Sequence, residues 1–143
     1  MFTNLFSAAD ISASGMSAER MRMETVANNI ANANTTRSVD GNPYRRKQLV
    51  FSEILDPQSS NTKGLQGVRV LGMESDQSPF QSVHRPGHPD ADEEGNVRMP
   101  NVKIPNEMVD LITASRSYEA NLKALSSFKD MVEQTLTLLR VPR

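Results

Sequence analysis

A chain of 143 residues with a formal net charge of -1 and a pI near 6.1 has room for one domain, or one domain with a small satellite. That balance gives no electrostatic case for nucleic acid, since the basic run Arg45-Arg46-Lys47 falls far short of a phosphate-tracking surface. No cysteine is present, which excludes disulfides and thiolate chemistry, and no apolar run is long enough to span a bilayer.

Residues 1–31 carry few charges: Asp10, Glu19, Arg20, Arg22 and Glu24. Phe2, Ala9, Met16, Met23 and Ile30 recur at seven-residue spacing, with Phe6, Ala13 and Ala27 four residues after members of the series. Only Arg20 interrupts the second row. The spacing predicts a helix with a narrow apolar stripe. Gly15 and the nearby serines weaken isolated helicity, so this helix is expected to need packing partners. Its polar face is not basic enough for a membrane-surface helix. The segment also lacks the basic start, unbroken apolar core and small-residue cleavage site of a secretory signal, so no cleaved signal peptide is expected.

Asn28-Asn29-Ile30-Ala31-Asn32-Ala33-Asn34-Thr35-Thr36 places four asparagines within seven positions. Asparagine suits caps and side-chain turns better than helix interior. The run therefore reads as a helix end followed by a polar junction, which closes a first segment at 1–36.

Residues 37–105 read as an insert. Asp40-Gly41-Asn42-Pro43 signals a turn, and Tyr44 to Ile54 an extended strand. Asp56 to Gly67 is a polar loop, Val68 to Met73 a second strand and Phe80 to Val83 a short third. An acidic, turn-rich loop from Pro86 to Asn96 then leads into an extended stretch over Val97 to Val102. This is a small β element with too little apolar material to stand alone.

The last segment, 106–143, is the longest element. Leu111, Tyr118, Leu125, Val132 and Leu139 keep strict seven-residue spacing, and Ala114, Leu122, Phe128 and Leu136 fill half-steps irregularly. Asn106 is the expected N-cap, Glu107 and Asp110 favour the positive end of the dipole, and Pro142 follows the far end. A helix over 106–140 would be about 50 Å long, too long for one small domain to cover. The fold class expected is mainly α with a small β insert: two long antiparallel terminal helices in coiled-coil-like packing. An ordinary helical hairpin that buries its seam privately is the alternative on periodicity alone.

Chemistry of a catalytic kind has one candidate cluster: His84, His88, Asp90, Asp92, Glu93 and Glu94. Pro86, Gly87 and Pro89 forbid the helix that would align the two histidines on a metal, and the acidic spacing does not match a full calcium loop. A solvated acidic turn is the stronger reading. Neither an activated serine nor a Gly-rich phosphate loop is apparent, so no catalytic, cofactor or metal site is expected.

Four stretches of this chain together resemble the bacterial flagellar axial family of rod and hook proteins, and within it the proximal-rod type. They are Asn28 to Thr35, the run Tyr44-Arg45-Arg46-Lys47-Gln48-Leu49-Val50-Phe51, the stretch from Pro86-Gly87-His88-Pro89-Asp90 through Gly95-Asn96-Val97-Arg98-Met99-Pro100-Asn101-Val102, and Glu107 to Ile112 with Ala114 to Asn121. The resemblance covers nearly the whole chain. It implies a structural, cofactor-free subunit that passes unfolded through the flagellar type III export apparatus. It further implies polymerisation into a helical tube across the periplasm, a drive shaft for motor torque, with terminal helices inside and the insert outside. Copies of the chain, other rod proteins and the junction protein linking rod to membrane ring are the implied partners, without nucleic acid or direct membrane insertion. On this basis Asn28, Asn29, Asn32 and Thr35 are expected to mark the junction between helix and insert. Phe2, Phe6, Ala9, Met16, Met23 and Ile30 on one side, and Leu111, Tyr118, Leu125, Val132 and Leu139 on the other, are the expected assembly seams.

Overall fold

The computed structural model describes residues 2–38, 40–55 and 65–140, with side chains described over 8–38, 40–54 and 67–138. Six elements follow in order: α1 (Phe2–Ala31), β1 (Lys47–Leu55), β2 (Leu65–Ser75), β3 (Gln81–His84), β4 (Asn96–Met99) and α2 (Ile104–Arg140). The chain is mainly helical, and its insert forms two separate two-stranded sheets, β1 with β2 and β3 with β4.

Helix α1 has no acidic residue in its first turn and no basic residue in its last, so its dipole gains nothing from local charge. Two hydroxyls on its buried side are satisfied within the helix: Ser12 donates to the Ala8 carbonyl at 3.1 Å and Thr25 to the Met21 carbonyl at 2.9 Å. Bonding back in this way lets polar side chains enter the packed face without an orphaned donor. The helix ends within the asparagine run, at Ala31. Asn32 gives its backbone N–H to the Asn28 carbonyl at 3.1 Å and its side-chain amide to the same carbonyl at 2.9 Å, while Thr35 donates to the Asn32 side chain at 3.2 Å.

Helix α2 begins at Ile104, two residues before the expected start. The Lys103 carbonyl accepts the N–H groups of Asn106 and Glu107 at 3.0 and 3.1 Å, so Asn106 lies inside the first turn rather than capping it. Pro105 reads as a boundary in sequence, yet the first turn tolerates proline because its N–H would be unpaired anyway. Strand β1 starts three residues after Tyr44, and β2 runs longer than the alternation of Val68 and Val70 suggested. Strands β3 and β4 pair antiparallel, with Ser82 opposite Arg98 and His84 opposite Asn96.

Two compact units divide the chain. A terminal unit comprises Met1–Arg20, Phe51–Leu71 and Ala114–Arg143, and a junction unit comprises Met21–Val50 and Gly72–Thr113. In the terminal unit Gly15 meets the Asn121 side chain so closely that a Cβ at Gly15 would sit 2.9 Å from the Asn121 amide nitrogen. Ala9 in turn shares a groove with Leu122, Leu125 and Val132, so the two helices run antiparallel within this unit. Its buried residues among those described are the small Ser12, Ala18 and Ala114. The junction unit buries more: Val26, Ala33, Val97 and Val102, together with the polar Thr25, Asn29, Asn101 and Glu107.

Gly67 shows the closest steric demand in the terminal unit. Its φ of +115° is one that side chains rarely adopt, and a Cβ there would strike the Ser14 hydroxyl. That hydroxyl accepts the Val68 N–H at 3.1 Å and donates to the Ile11 carbonyl at 2.7 Å, tying α1 to the start of β2. Gly67→Ala is expected to destabilise by about 1–3 kcal/mol through strain and displacement of Ser14. Urea unfolding followed by circular dichroism measures it, with Gly72→Ala, which meets open space, as the near-neutral control.

Candidate assembly site

The largest fully buried side chains of the described residues are Glu107, Val97 and Asn29, and two of the three are polar. Glu107 and Asn29 meet in the junction unit, where they bind α1, the start of β1 and the first turn of α2 into one hydrogen-bonded cluster. An amide can form four hydrogen bonds, and Asn29 forms all four. Its nitrogen donates to the Lys47 carbonyl at 2.8 Å and to Glu107 Oε2 at 2.9 Å. Its oxygen accepts the Lys47 N–H at 3.0 Å and the Tyr44 hydroxyl at 2.9 Å. Towards Lys47 the side chain thus pairs with both backbone groups of one residue, as a neighbouring strand would.

The other carboxylate oxygen of Glu107 accepts from Arg46 Nε at 2.6 Å. Arg46 also donates to Asp110 at 3.3 Å and lies 3.8 Å from Asp76, while Arg22 of α1 stands 3.6 Å from Asp110. Asn29 on Glu107 and Arg22 on Asp110 make the helices antiparallel within this unit too. Asn101 completes the frame. It accepts the Arg46 N–H at 2.7 Å and donates to the carbonyls of Asp76 and Ser78 at 3.0 and 3.3 Å.

Burial alone would lower the basicity of the Arg46 guanidinium, but the Glu107 hydrogen bond and charge, then Asp110 and Asp76, more than reverse this and hold it charged. Burial, and next the Glu107 charge, push the Tyr44 phenol above its ordinary range and keep it a donor to Asn29. The Ser78 hydroxyl and backbone N–H, with smaller help from Arg46 and Arg45, hold the Asp76 carboxyl below its ordinary value against partial burial. Glu107 and its partners carry structural chemistry: their donors and acceptors are spent on one another.

Of the residues expected at the junction, Asn29 is wholly buried and central, while Asn28 accepts from Tyr44 at 3.3 Å and, with Asn32 and Thr35, finishes α1. Ala9, Met16, Met23 and Ile30 on α1, and Leu111, Tyr118, Leu125 and Val132 on α2, are half-buried. The side chains of Phe2, Phe6 and Leu139 lie outside the described residues. Sequence reasoning did not single out Tyr44, Arg46, Asn101 or Asp110 as a group. Arg46 and Glu107 are 61 residues apart, and no local pattern links them.

In the acidic loop, Asp90 accepts from Thr36 at 2.8 Å and lies 3.8 Å from Arg37. Asp92 accepts the N–H groups of Glu94 and Asn96 at 3.1 and 2.7 Å. These carboxylates hold the turn together. Among the described residues no group of three or more His, Asp and Glu side chains could hold a metal ion, and no helix is long and apolar enough to cross a membrane.

Comparison with known proteins adds two family profiles, one for the flagella basal body rod protein over residues 10–37 and one for the C-terminal region of flagellar basal body rod FlgEFG proteins over residues 93–138. The chain is similar to the flagellar basal-body rod protein FlgC of Aquifex aeolicus, at 47% identity over 92% of this chain and 95% of that one. It is 43% identical to the FlgC protein of Salmonella typhimurium over 90% of this chain and 93% of the relative. The FlgC protein of Borreliella burgdorferi is 39% identical over 95% and 98%.

Removing one partner from a buried, paired charge leaves the other uncompensated. Glu107→Ala is therefore expected to cost about 3–5 kcal/mol in the junction unit, read as a lower urea midpoint. Asn29→Asp, which removes two donors and sets a second carboxylate against Glu107, should destabilise by a comparable amount, whereas the surface change Glu53→Gln should be near neutral. Asp76 also makes stability depend on acid. Its contribution is fully present above its ordinary value of 3.8 and is lost as pH falls through the lower folded value. An acid titration of stability should accordingly flatten below about pH 4 in Asp76→Asn relative to the parent.

Proposed function

The chain belongs to the FlgC family of flagellar basal-body rod proteins and is a structural subunit of that rod, and we propose that it works in the proximal rod, polymerising with other rod proteins into a helical shaft that carries motor torque across the periplasm. The observation that carries this is identity of 39–47% to FlgC proteins along 90–95% of the chain.

The terminal unit supports an assembly that its own chain leaves incomplete. Among the described residues its buried side chains are few and small, while Leu122, Met131, Leu136 and Leu138 of α2 stand exposed, Leu138 by 77%. Ala9, Leu125, Phe128 and Val132 line an apolar groove beside them. Helices of neighbouring subunits, packed in coiled-coil fashion, would cover this surface. Ala9, Met16, Met23 and Ile30 would then share seams with Leu111, Tyr118, Leu125 and Val132 across and within subunits. Head-to-tail stacking whose rotation does not close yields a helical tube rather than a ring.

The same reading makes the subunit non-catalytic and cofactor-free. It travels unfolded through the flagellar type III export apparatus, which a chain free of cysteine suits. Its partners are copies of itself, other rod proteins and the protein that joins rod to membrane ring.

Hydrogen exchange on the purified monomer, read peptide by peptide, tests the proposal. Fast exchange is expected over residues 8–20 and 114–138, with slow exchange over 24–33 and 96–113, because the junction unit holds the buried cluster. Strong protection along both helices of a verified monomer would overturn it and favour a self-contained helical adaptor instead.

A further inference from the structure

The junction unit carries two features of opposite charge whose groups do not pair with each other. One is a basic recess of about 480 Å³, lined by Pro43, Arg45, Lys47, Phe80 and Arg98, with Asp40 at its side. The Arg45 guanidinium lies 4.4 Å from the centre of the Phe80 ring and that of Arg98 lies 5.1 Å from it. An aromatic ring positions cations without neutralising them. Arg45 gives its side-chain donors to the carbonyls of Asp76 and Ser78, at 3.0 and 3.3 Å. Among the described residues none of Arg45, Lys47 and Arg98 forms an ion pair. Three cations thus face one recess with Asp40 as the lining carboxylate, an arrangement that an incoming carboxylate would relieve through charge-assisted hydrogen bonds.

The other feature is the tip of the β3–β4 hairpin, Asp92-Glu93-Glu94, which is exposed. The turn is rigid: Arg85 donates its N–H to the Gly95 carbonyl at 2.7 Å, and Asp92 is consumed by the N–H groups of Glu94 and Asn96. Glu94 has one long contact, with the Asn96 amide at 3.4 Å, and Glu93 has no hydrogen bond or ion pair among the described residues. Within one chain Asp92 borders a neighbouring pocket together with Arg98, whereas Glu93 and Glu94 do not line the recess.

We infer that the Arg45–Phe80–Arg98 recess receives the Glu93–Glu94 hairpin tip of a neighbouring copy of this chain. The inference rests on the rod-subunit reading. The surface and its complement are different patches of one molecule, so each copy offers a free tip and a free recess, and the contact propagates along a helical assembly. Charge complementarity of this kind chiefly sets register and selects the partner.

The test uses a strain lacking its own copy of this rod protein, with the unmodified chain supplied as the reference. Failure of that reference to restore swimming would count against the rod reading itself, independently of the recess. Because the chain has no cysteine, Arg98→Cys and Glu93→Cys can be produced together as separate chains and oxidised in isolated basal bodies. A disulfide-linked dimer is expected when both variants are present and from neither alone. In parallel, Arg98→Glu, and Glu93→Lys with Glu94→Lys, should each reduce swimming by about two- to fivefold, the range for an exposed ion pair. All three changes combined in one chain should swim within about twofold of the reference. No dimer in basal bodies that contain both cysteine variants would overturn the inference, as would reversals that swim normally or whose combination fails to recover. A recess that proved essential yet unrescued would belong to another acidic partner.

Discussion

The junction unit is built around the Glu107 side chain, which has none of its surface in water. Taking such a group out of water costs several kcal/mol, and the structure offsets this in two directions. Arg46 supplies a charge-assisted hydrogen bond at 2.6 Å, and Asn29 supplies a neutral one at 2.9 Å. Arg46 is itself held by Asp110 and Asp76, and Asn29 by Lys47 and Tyr44. Removing any member exposes the desolvation cost of the next.

Such a cluster specifies more than it stabilises. Well-packed apolar residues of similar volume are often as stable as a buried ion pair, but they tolerate several registers. Here the amide and the carboxylate accept one arrangement. Sliding α2 along α1 by one residue, about 1.5 Å, would break the bond between Asn29 and Glu107. The half-buried seams of Met23, Ile30 and Leu111 do not discriminate so finely. In this protein the register at the junction is set by hydrogen-bond geometry.

The two helices were legible in sequence because their punctuation and periodicity are local properties. Asn28 to Thr36 announced the end of α1, and the spacing from Leu111 onwards ran through to Arg140. Pro105 misplaced the start of α2, since a proline signals a boundary from either side of it. The asparagines were readable as satisfiers of backbone groups, and Asn29 does that at Lys47. The rest of the cluster was not readable. Arg46 looked like part of a basic run and Glu107 like a dipole-favouring residue, because what unites them is proximity across 61 residues. The acidic loop is the converse case: its carboxylates are close in sequence, but Asp90 turns to Thr36 and Arg37, and Asp92 to its own backbone.

The contrast between the two units also bears on how the molecule takes mechanical load. Hydrogen bonds of 2.6–3.0 Å are directional and short-ranged, so the junction unit resists shear stiffly and then yields in a single step. Apolar contact is non-directional and changes gradually with displacement. The terminal unit relies more on such contact, through small buried residues and an apolar groove. Each subunit is thus stiff where short hydrogen bonds clamp it and more yielding where small residues and apolar contact hold it.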